Sequence, residues 1–285
     1  MVLDEQWFTE IDSDDSGYAM SLKIKEKLHE ERTPYQLIEV YETQTFGTLL
    51  VIDGCVMLTS RDNFLYHEMM SHPALFTHPA PKRVVIIGGG DCGTLREVLR
   101  HPGIEHVLQV EIDERVTRLS ERFFPELCTA NTDPRAEFHF DDGIAWMREA
   151  PAGSVDVIIV DSTDPFGPAE GLFGRDFYGN CARALGNEGL LVQQSESPLL
   201  HLEILQSMHR EMHAAGLGHR RILNFPQPTY PSGWWCATLA GKHAGALEPR
   251  WEGIDTTALD LRYYNAAIHR GALACANFMD DALKR

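Results

Sequence analysis

V-V-I-I-G-G-G-D-C-G-T-L-R, residues 84–96, is the stretch from which the rest of the chain is read. Val84 to Ile87 are four β-branched apolar residues with the composition of a strand buried on both faces; three glycines break the run, and Thr94 to Arg100 has the composition of a helix. Gly88, Gly90 and Gly93 fit G-x-G-x-x-G, in which missing Cβ atoms let a ligand approach the backbone and the helix N-terminus offers unpaired N–H groups. Taken alone, the pattern serves a nucleotide-type ligand and a plain strand-to-helix turn equally well. Asp91 is the discordant residue, because a carboxylate beside a pyrophosphate would repel it, while a neutral or cationic nucleoside suffers no such cost. The same carboxylate, with no cation near the loop, argues against NAD.

Working downstream, strands and helices alternate. Val107 to Ile112, Arg135 to Phe140, Val155 to Val160 and Gly189 to Gln194 read as strands; Glu114 to Phe124, Leu172 to Leu185 and His201 to Ala215 read as helices, and Arg220 to Phe225 and Trp235 to Ala240 as final strands. Repeated βα units of this kind predict an α/β fold with a doubly wound, mostly parallel sheet. Upstream, Tyr35 to Tyr41, Thr48 to Ile52 and C-V-M-L-T, joined by Gly47 and by Asp53-Gly54, predict a small N-terminal antiparallel β domain. Phe64 to Phe76 then reads as a helix closed by Pro79 and Pro81. The expected division is residues 1–62 and 63–285.

In doubly wound sheets ligands bind beyond the C-terminal strand ends. Asp91 follows the first strand. Glu111, about 20 residues on, suits the two ribose hydroxyls, with Asp113 facing the other way. The third strand delivers Asp141, Asp142 and Gly143; Asp142 and a backbone N–H there could read a purine edge, or Asp142 could cap the next helix. Asp161 and Asp164 end the fourth strand in a turn stiffened by prolines, where they either hold a cation between them or form Asx turns. Gln194 and Glu196 end the fifth. Four of these five ends bring carboxylates expected to converge on one cleft (Asp91, Glu111, Asp161 with Asp164, Glu196), and none brings Lys or Arg. Such a cleft suits a polyamine or sulfonium and is hostile to phosphate. Tyr230, in P-T-Y-P-S-G, offers an aromatic face for an alkylammonium, while the Trp234-Trp235 pair after it reads as core.

The whole composition agrees. The net charge of −17 over 285 residues disfavours nucleic acid and is compatible with cationic substrates. Six scattered cysteines, without C-x-x-C spacing, fit a reducing cytoplasm. The opening M-V-L-D-E-Q-W has no apolar leader and no run is long enough to span a bilayer, so no membrane partner is expected. His67, His72 and His78 are spaced too irregularly for a helix-borne metal pair, and no metal is expected. Cys92 has no neighbouring His or Lys to activate it, and Ser195 lacks the G-x-S-x-G elbow of a hydrolase.

These motifs resemble the spermidine synthase (polyamine aminopropyltransferase) family. The matching residues are L-V-I-D-G at 50–54, R-D-N-F-L-Y-H-E-M at 61–69, I-I-G-G-G-D at 86–91, L-R-E-V-L at 95–99, V-E-I-D at 110–113 and D-P-R at 133–135. They continue with D-V-I-I-V-D-S-T-D-P-F-G-P-A-E at 156–170, L-F at 172–173, F-Y at 177–178, Q-S-E-S at 194–197 and P-T-Y-P-S-G at 228–233. The resemblance implies a sheet of the S-adenosylmethionine-dependent methyltransferase type. It implies decarboxylated S-adenosylmethionine as co-substrate, no permanently bound cofactor, a diamine such as putrescine as acceptor, and a homodimer or homotetramer. It implies that Gln36, Glu111, Asp142 and Gly143 hold the adenosine beside Gly88 and Gly90, and that Asp91 binds the aminopropyl ammonium. Tyr66, His67, Asp161, Asp164, Gln194, Glu196 and Tyr230 would line the amine pocket, with Asp161 as base and Tyr66 and Asp164 beside it. The chain departs from the family at Cys92 (usually Gly), at Met57 (usually Gln) and in T-S-R-D-N at 59–63 (usually T-E-R-D-E). Cys92 fills a variable position of the glycine pattern; Met57 and Ser60 bear on the choice among putrescine, cadaverine, agmatine and spermidine. An amine N-methyltransferase on the same fold, and a non-catalytic polyamine-binding protein, are the competing readings.

Overall fold

The computed structural model describes residues 3–12, 17–165 and 167–283. Strands β1 (Trp7–Ile11), β2 (Ala19–Arg32), β3 (Leu37–Thr43), β4 (Thr48–Ile52) and β5 (Cys55–Thr59) form an antiparallel sheet in chain order. Asp53 and Gly54 have φ of 47° and 86°, the left-handed pair that a tight two-residue hairpin requires, and this turn joins β4 to β5. Strand β4 is apolar on both faces because it serves two cores. Leu49 and Val51 pack with Leu22 and Val56, while Leu50 and Ile52 pack with Val116, Leu119 and Phe124 of the larger unit. The long strand β2, charged and exposed or half-exposed save for Leu22, follows no strict alternation; register shifts opposite β3 carry it past this irregularity.

Helix α1 (Asn63–Thr77) links the two sheets and is buried on nearly every side, which is why its sequence has no polar face. Then follow β6 (Arg83–Gly88), α2 (Gly93–Leu99), β7 (His106–Glu111), α3 (Glu114–Phe123), β8 (Ala136–Phe140), α4 (Gly143–Glu149), β9 (Val155–Asp161) and α5 (Arg175–Ala184). The chain ends through β10 (Leu185–Gln194), α6 (Leu202–Ala214), β11 (His219–Pro226), β12 (Trp234–Gly241), α7 (Ala266–Ala272) and α8 (Asn277–Leu283). The sheet order is β11-β12-β10-β9-β6-β7-β8. The five strands from β8 to β10 run parallel, and β12 and β11 add antiparallel pairs at one edge. Order reverses between β6 and β9, the crevice where such sheets receive ligands. One difference from the sequence reading lies after β9: the expected helix from Leu172 begins at Arg175, because Gly167–Phe173 forms a 3₁₀ segment ended by the extended Gly174.

Two ionic ties fix α1. Glu68 accepts the backbone N–H groups of Arg262, Tyr263 and Tyr264 at 2.7–2.9 Å, pinning the tail to the helix. Glu97 of α2 is buried and contacts His72 at 3.2 Å, Arg96 at 2.8 Å and Arg100 at 3.0 Å. Burial would push its carboxyl up, but His72, Arg96 and Arg100 outweigh burial and hold it at about 2. A carboxyl depressed on folding stabilises the fold above its unfolded range and loses that stabilisation as pH falls toward the folded value. Glu97→Gln is therefore expected to lower the unfolding free energy at pH 7 by roughly 3 kcal/mol, since it leaves the half-buried Arg96 and Arg100 guanidinium groups without their anion. Denaturant titrations of both proteins should show the gap closing between about pH 5 and pH 2; equal stability at pH 7 would rule this account out.

Candidate active site

The glycine turn is shaped by its neighbour across the sheet. Gly88 pairs with Asp161 and has φ of 84°; a Cβ there would lie 2.2 Å from the Asp161 carbonyl oxygen, so no side chain fits. That carbonyl accepts the Gly89 N–H at 2.7 Å. From β7, Gln109 donates to the Gly89 carbonyl at 2.9 Å and braces the turn from the other side. A Cβ on Gly90 would meet Glu111 Oε2 and Val116 at 2.8 Å, and one on Gly93 would meet the His67 ring at 2.2 Å. The three glycines of the pattern are thus required by close approach of Asp161, Glu111 and His67 respectively.

Asp161 stands at the centre. Its Oδ1 accepts the Tyr66 hydroxyl at 2.7 Å and its Oδ2 accepts the Thr94 hydroxyl at 2.6 Å. Burial pushes its carboxyl above the usual range, and the Asp91 charge adds to this; His67 and the two hydroxyls oppose it. Asp91 Oδ1 accepts the Gly93 N–H at 2.6 Å and faces His67 Nε2 at 3.1 Å. His67 is buried beneath the turn, and its pKa is raised because Asp91 and Asp161 outweigh the opposing effect of burial.

On the β7 side, Glu111 is buried, accepts the Asp113 N–H at 2.9 Å, and is pushed up to about 7, chiefly by burial and then by the Asp113 and Asp161 charges. Asp113 turns the other way, as its position predicts. It caps α3 by accepting the Arg115 N–H, and it also accepts Thr33 Oγ1 at 2.7 Å and Gln36 Nε2 at 3.0 Å. Gln36 is therefore brought to the cavity by a carboxylate of the neighbouring unit. Asp142 caps α4 through the Ile144 N–H at 2.8 Å and also lines the cavity; the Ile87 side chain 2.7 Å from the Cβ position of Gly143 explains the glycine.

The other end of the cavity is bounded by Tyr66, Tyr230, Asp164, Met57 and Gln227. Tyr230 donates its hydroxyl to the Met57 carbonyl, and its ring meets Tyr66 at 5.9 Å and Trp235 at 4.8 Å. Trp235 is buried core, as expected. Asp62 holds β5 to the Tyr230 loop by accepting Thr59 Oγ1 and Thr229 Oγ1. Gln194 and Glu196 lie one layer beyond the cavity wall. Glu196, left-handed at φ 63°, is held by Gln194, which accepts its N–H at 3.1 Å. Asp164 is pushed well above the carboxylate range by burial and by the Glu196 charge beside it. Glu10 of β1, pushed up to about 7 mainly by burial, and Asp12 add further acids behind them.

Spacing gave no notice of Thr94, Gln109, Glu10 or His201. Gln109 and Glu10 did carry a signal, each a polar residue inside an apolar strand run. Phe166, within the loop after β9, lies outside the described residues. Among the described residues no cluster of three or more His, Cys, Asp and Glu is arranged to hold a metal, and no helix is long and apolar enough to cross a membrane. The cavity runs from Gln36, Glu111 and Asp142 past the glycine turn to Tyr66, Tyr230 and Asp164.

The family model described as spermine/spermidine synthase domain matches residues 63–248, and that described as spermidine synthase tetramerisation domain matches residues 6–60. A polyamine aminopropyltransferase of Methylococcus capsulatus is 62% identical over 98% of each chain, and one of Xylella fastidiosa is 57% identical over 99% of each. Among solved structures, a spermidine synthase in complex with the transition state analogue AdoDATO superposes with a TM-score of 0.93 at 32% identity, covering 99% of this chain and 96% of that one. The Thermotoga maritima spermidine synthase gives 0.91 at 32% identity, covering 98% and 94%. Matched along both of its sheets and to relatives more than half identical, the chain belongs to the spermine/spermidine synthase family.

Proposed function

We propose that the protein transfers the aminopropyl group of decarboxylated S-adenosylmethionine to a diamine, putrescine foremost, yielding spermidine and methylthioadenosine. The observation that carries this reading is Asp161, fixed between Tyr66 and Thr94 and set beside Asp91 at the glycine turn. Two carboxyls at the sulfonium end of a nucleoside site, with no Lys or Arg among the residues that line the cavity, match a cationic donor and a cationic acceptor. Family membership supports the same reaction.

In this reading Glu111 accepts the ribose hydroxyls, Gln36 and Asp142 with the Gly143 N–H address the base and sugar, and Gly88 and Gly90 let the nucleoside close on the backbone. Asp91 takes the donor's ammonium and His67 steadies Asp91 from behind. Tyr230 and Tyr66 flank the carbon chain of the acceptor, Asp164 receives its distal ammonium, and Glu196, oriented by Gln194, backs Asp164. The attacking amine must lose a proton, and Asp161 is the group placed to receive it or pass it to water. The nitrogen lone pair then attacks the carbon next to sulfur, the C–N bond forms, the C–S bond breaks, and its electron pair stays on sulfur as neutral thioether, so no acid is needed.

We read residues 1–62 and 63–285 as the two units, with assembly into a dimer or tetramer through the first sheet. Four exposed large apolar side chains, Leu3, Ile11, Leu28 and Tyr35, lie along that part of the chain, and the tetramerisation model covers it. Six free cysteines support a cytoplasmic setting.

The purified protein, incubated with decarboxylated S-adenosylmethionine and putrescine, is expected to give an aminopropylated amine by mass spectrometry; a methylated amine from ordinary S-adenosylmethionine would establish the methyltransferase instead. Asp161→Asn should lower kcat by about 10²–10³-fold while the nucleoside still binds, a split measured by steady-state kinetics and calorimetry. Full turnover would remove Asp161 from the base role. Because burial and Asp91 push Asp161 up, kcat/KM should rise with pH as carboxyl and amine deprotonate. Asp91→Asn should narrow the preference for the decarboxylated over the intact nucleoside by at least about 10-fold, since the intact form adds a carboxylate near Asp91 at a cost on the order of 4 kcal/mol. Calorimetric titration with both nucleosides checks it, and unchanged discrimination would refute it.

A further inference from the structure

Behind Asp164 lies a cluster of acids, Glu10, Asp12 and Glu196, with His201 among them. His201, at the head of α6, bridges two elements: its Nε2 is 2.7 Å from Asp12 Oδ1, just beyond β1, and its Nδ1 is 3.3 Å from Glu196 Oε2, just beyond β10. Asp12 and Glu196 are both buried, and the imidazole is largely so. The charged and titratable groups around it are Glu10 and Asp12 from the first sheet, Asp164 from the loop after β9 and Glu196. Burial opposes protonation of His201, yet the Glu196 and Asp12 carboxylates outweigh it and raise its pKa. The ring is held from its own backbone, because the His201 N–H bonds to the Ser197 carbonyl at 2.8 Å and Ser197 Oγ meets Ser232 Oγ at 2.7 Å.

We propose that His201 is a specificity-determining residue: its imidazolium, bridging Glu196 and Asp12, withholds from the acceptor the carboxylates that a third ammonium, one aminopropyl unit beyond a diamine, would need. The inference rests on the aminopropyl-transfer reading. A diamine presents one distal ammonium, and Asp164 at the cavity wall answers it. A triamine reaching deeper would have to part Asp164 from Glu196 and would then face a fixed cation of its own sign. Glu196 meets Gln194 on its Oε1 at 3.4 Å and His201 on its Oε2, so each oxygen already has a protein group against it. The product of the reaction is itself such a triamine, and the same device would limit its return as acceptor.

The test is kinetic, with putrescine and the triamine spermidine as competing acceptors on the full-length protein. His201→Ala removes the cation and frees Glu196 and Asp12. It should raise the ratio of kcat/KM for spermidine over putrescine by at least about 10-fold, carried by a fall in the spermidine KM. His201→Gln keeps hydrogen-bonding capacity toward Asp12 without charge and should shift the ratio in the same direction by a smaller factor. His201→Lys restores a cation and should bring the ratio back toward that of the unmodified protein, a rescue that a purely structural role would not produce. Variants that turn over putrescine with an unchanged ratio would overturn the assignment to His201. If the unmodified protein transferred no aminopropyl group to any diamine, the reaction itself would be misassigned and this proposal would fall with it.

Discussion

The contact between Gly88 and Asp161 is the constraint on which the site depends. Strands β6 and β9 are neighbours at the point where sheet order reverses, so whatever ends β9 must lie against whatever turns after β6. With no Cβ and a positive φ, Gly88 lets the Asp161 carbonyl approach and take the Gly89 N–H. That bond sets the turn and, in the same step, sets the backbone that carries the Asp161 carboxyl. A ligand-binding loop and a titrating group are therefore placed by one piece of backbone geometry, and the hydroxyls of Tyr66 and Thr94 need only orient the carboxyl.

Electrostatics sort the remaining carboxyls into two kinds. Glu97 and Glu68 are surrounded by donors and serve the fold: Glu97 is depressed by its cations, and Glu68 is saturated by three backbone N–H groups. Asp161, Asp164, Glu111 and Glu10 are raised by burial and have too few donors to balance it. Holding such groups together is unfavourable until a cation arrives, so part of the binding energy of a cationic ligand is relief of this repulsion. The two kinds sit within one chain and differ only in what faces them. Net charge alone could not have separated them.

Much of this was legible in the sequence because it followed from strand period and position. The βα alternation fixed the sheet, the strand-end rule located Asp91, Glu111, Asp142 and Asp161, and the Asp53-Gly54 pair marked its hairpin. What stayed hidden were contacts between residues far apart in the chain. Glu10 and Asp12 reach the acidic pocket only because the first sheet folds over the second, and nothing near residue 10 records that neighbour. His67 lines the cavity, but its second place, beneath Gly93 and paired with Asp91, depends on how α1 packs against the glycine turn. Glu196 ends its strand as predicted, but its left-handed backbone turns it away from the open cavity.

Cys92 shows how local and tertiary demands are reconciled in the same turn. It adopts φ of 69°, a left-handed conformation that glycine takes freely and that a side chain takes at a cost of roughly 1–2 kcal/mol. In this chain the side chain is fully buried, with Sγ 3.6 Å from the Gly90 carbonyl, and it meets the Cys128 thiol, whose own Sγ lies 3.7 Å from the Asp91 carbonyl. Burying a small apolar side chain offsets an expense of that size. The thiol is pushed far above its ordinary range, by Cys128 and by burial, so it stays neutral beside Asp91 and adds no charge to a loop whose function depends on charge. The side chain is thus accommodated in the turn while Asp91 keeps its bond to the Gly93 N–H.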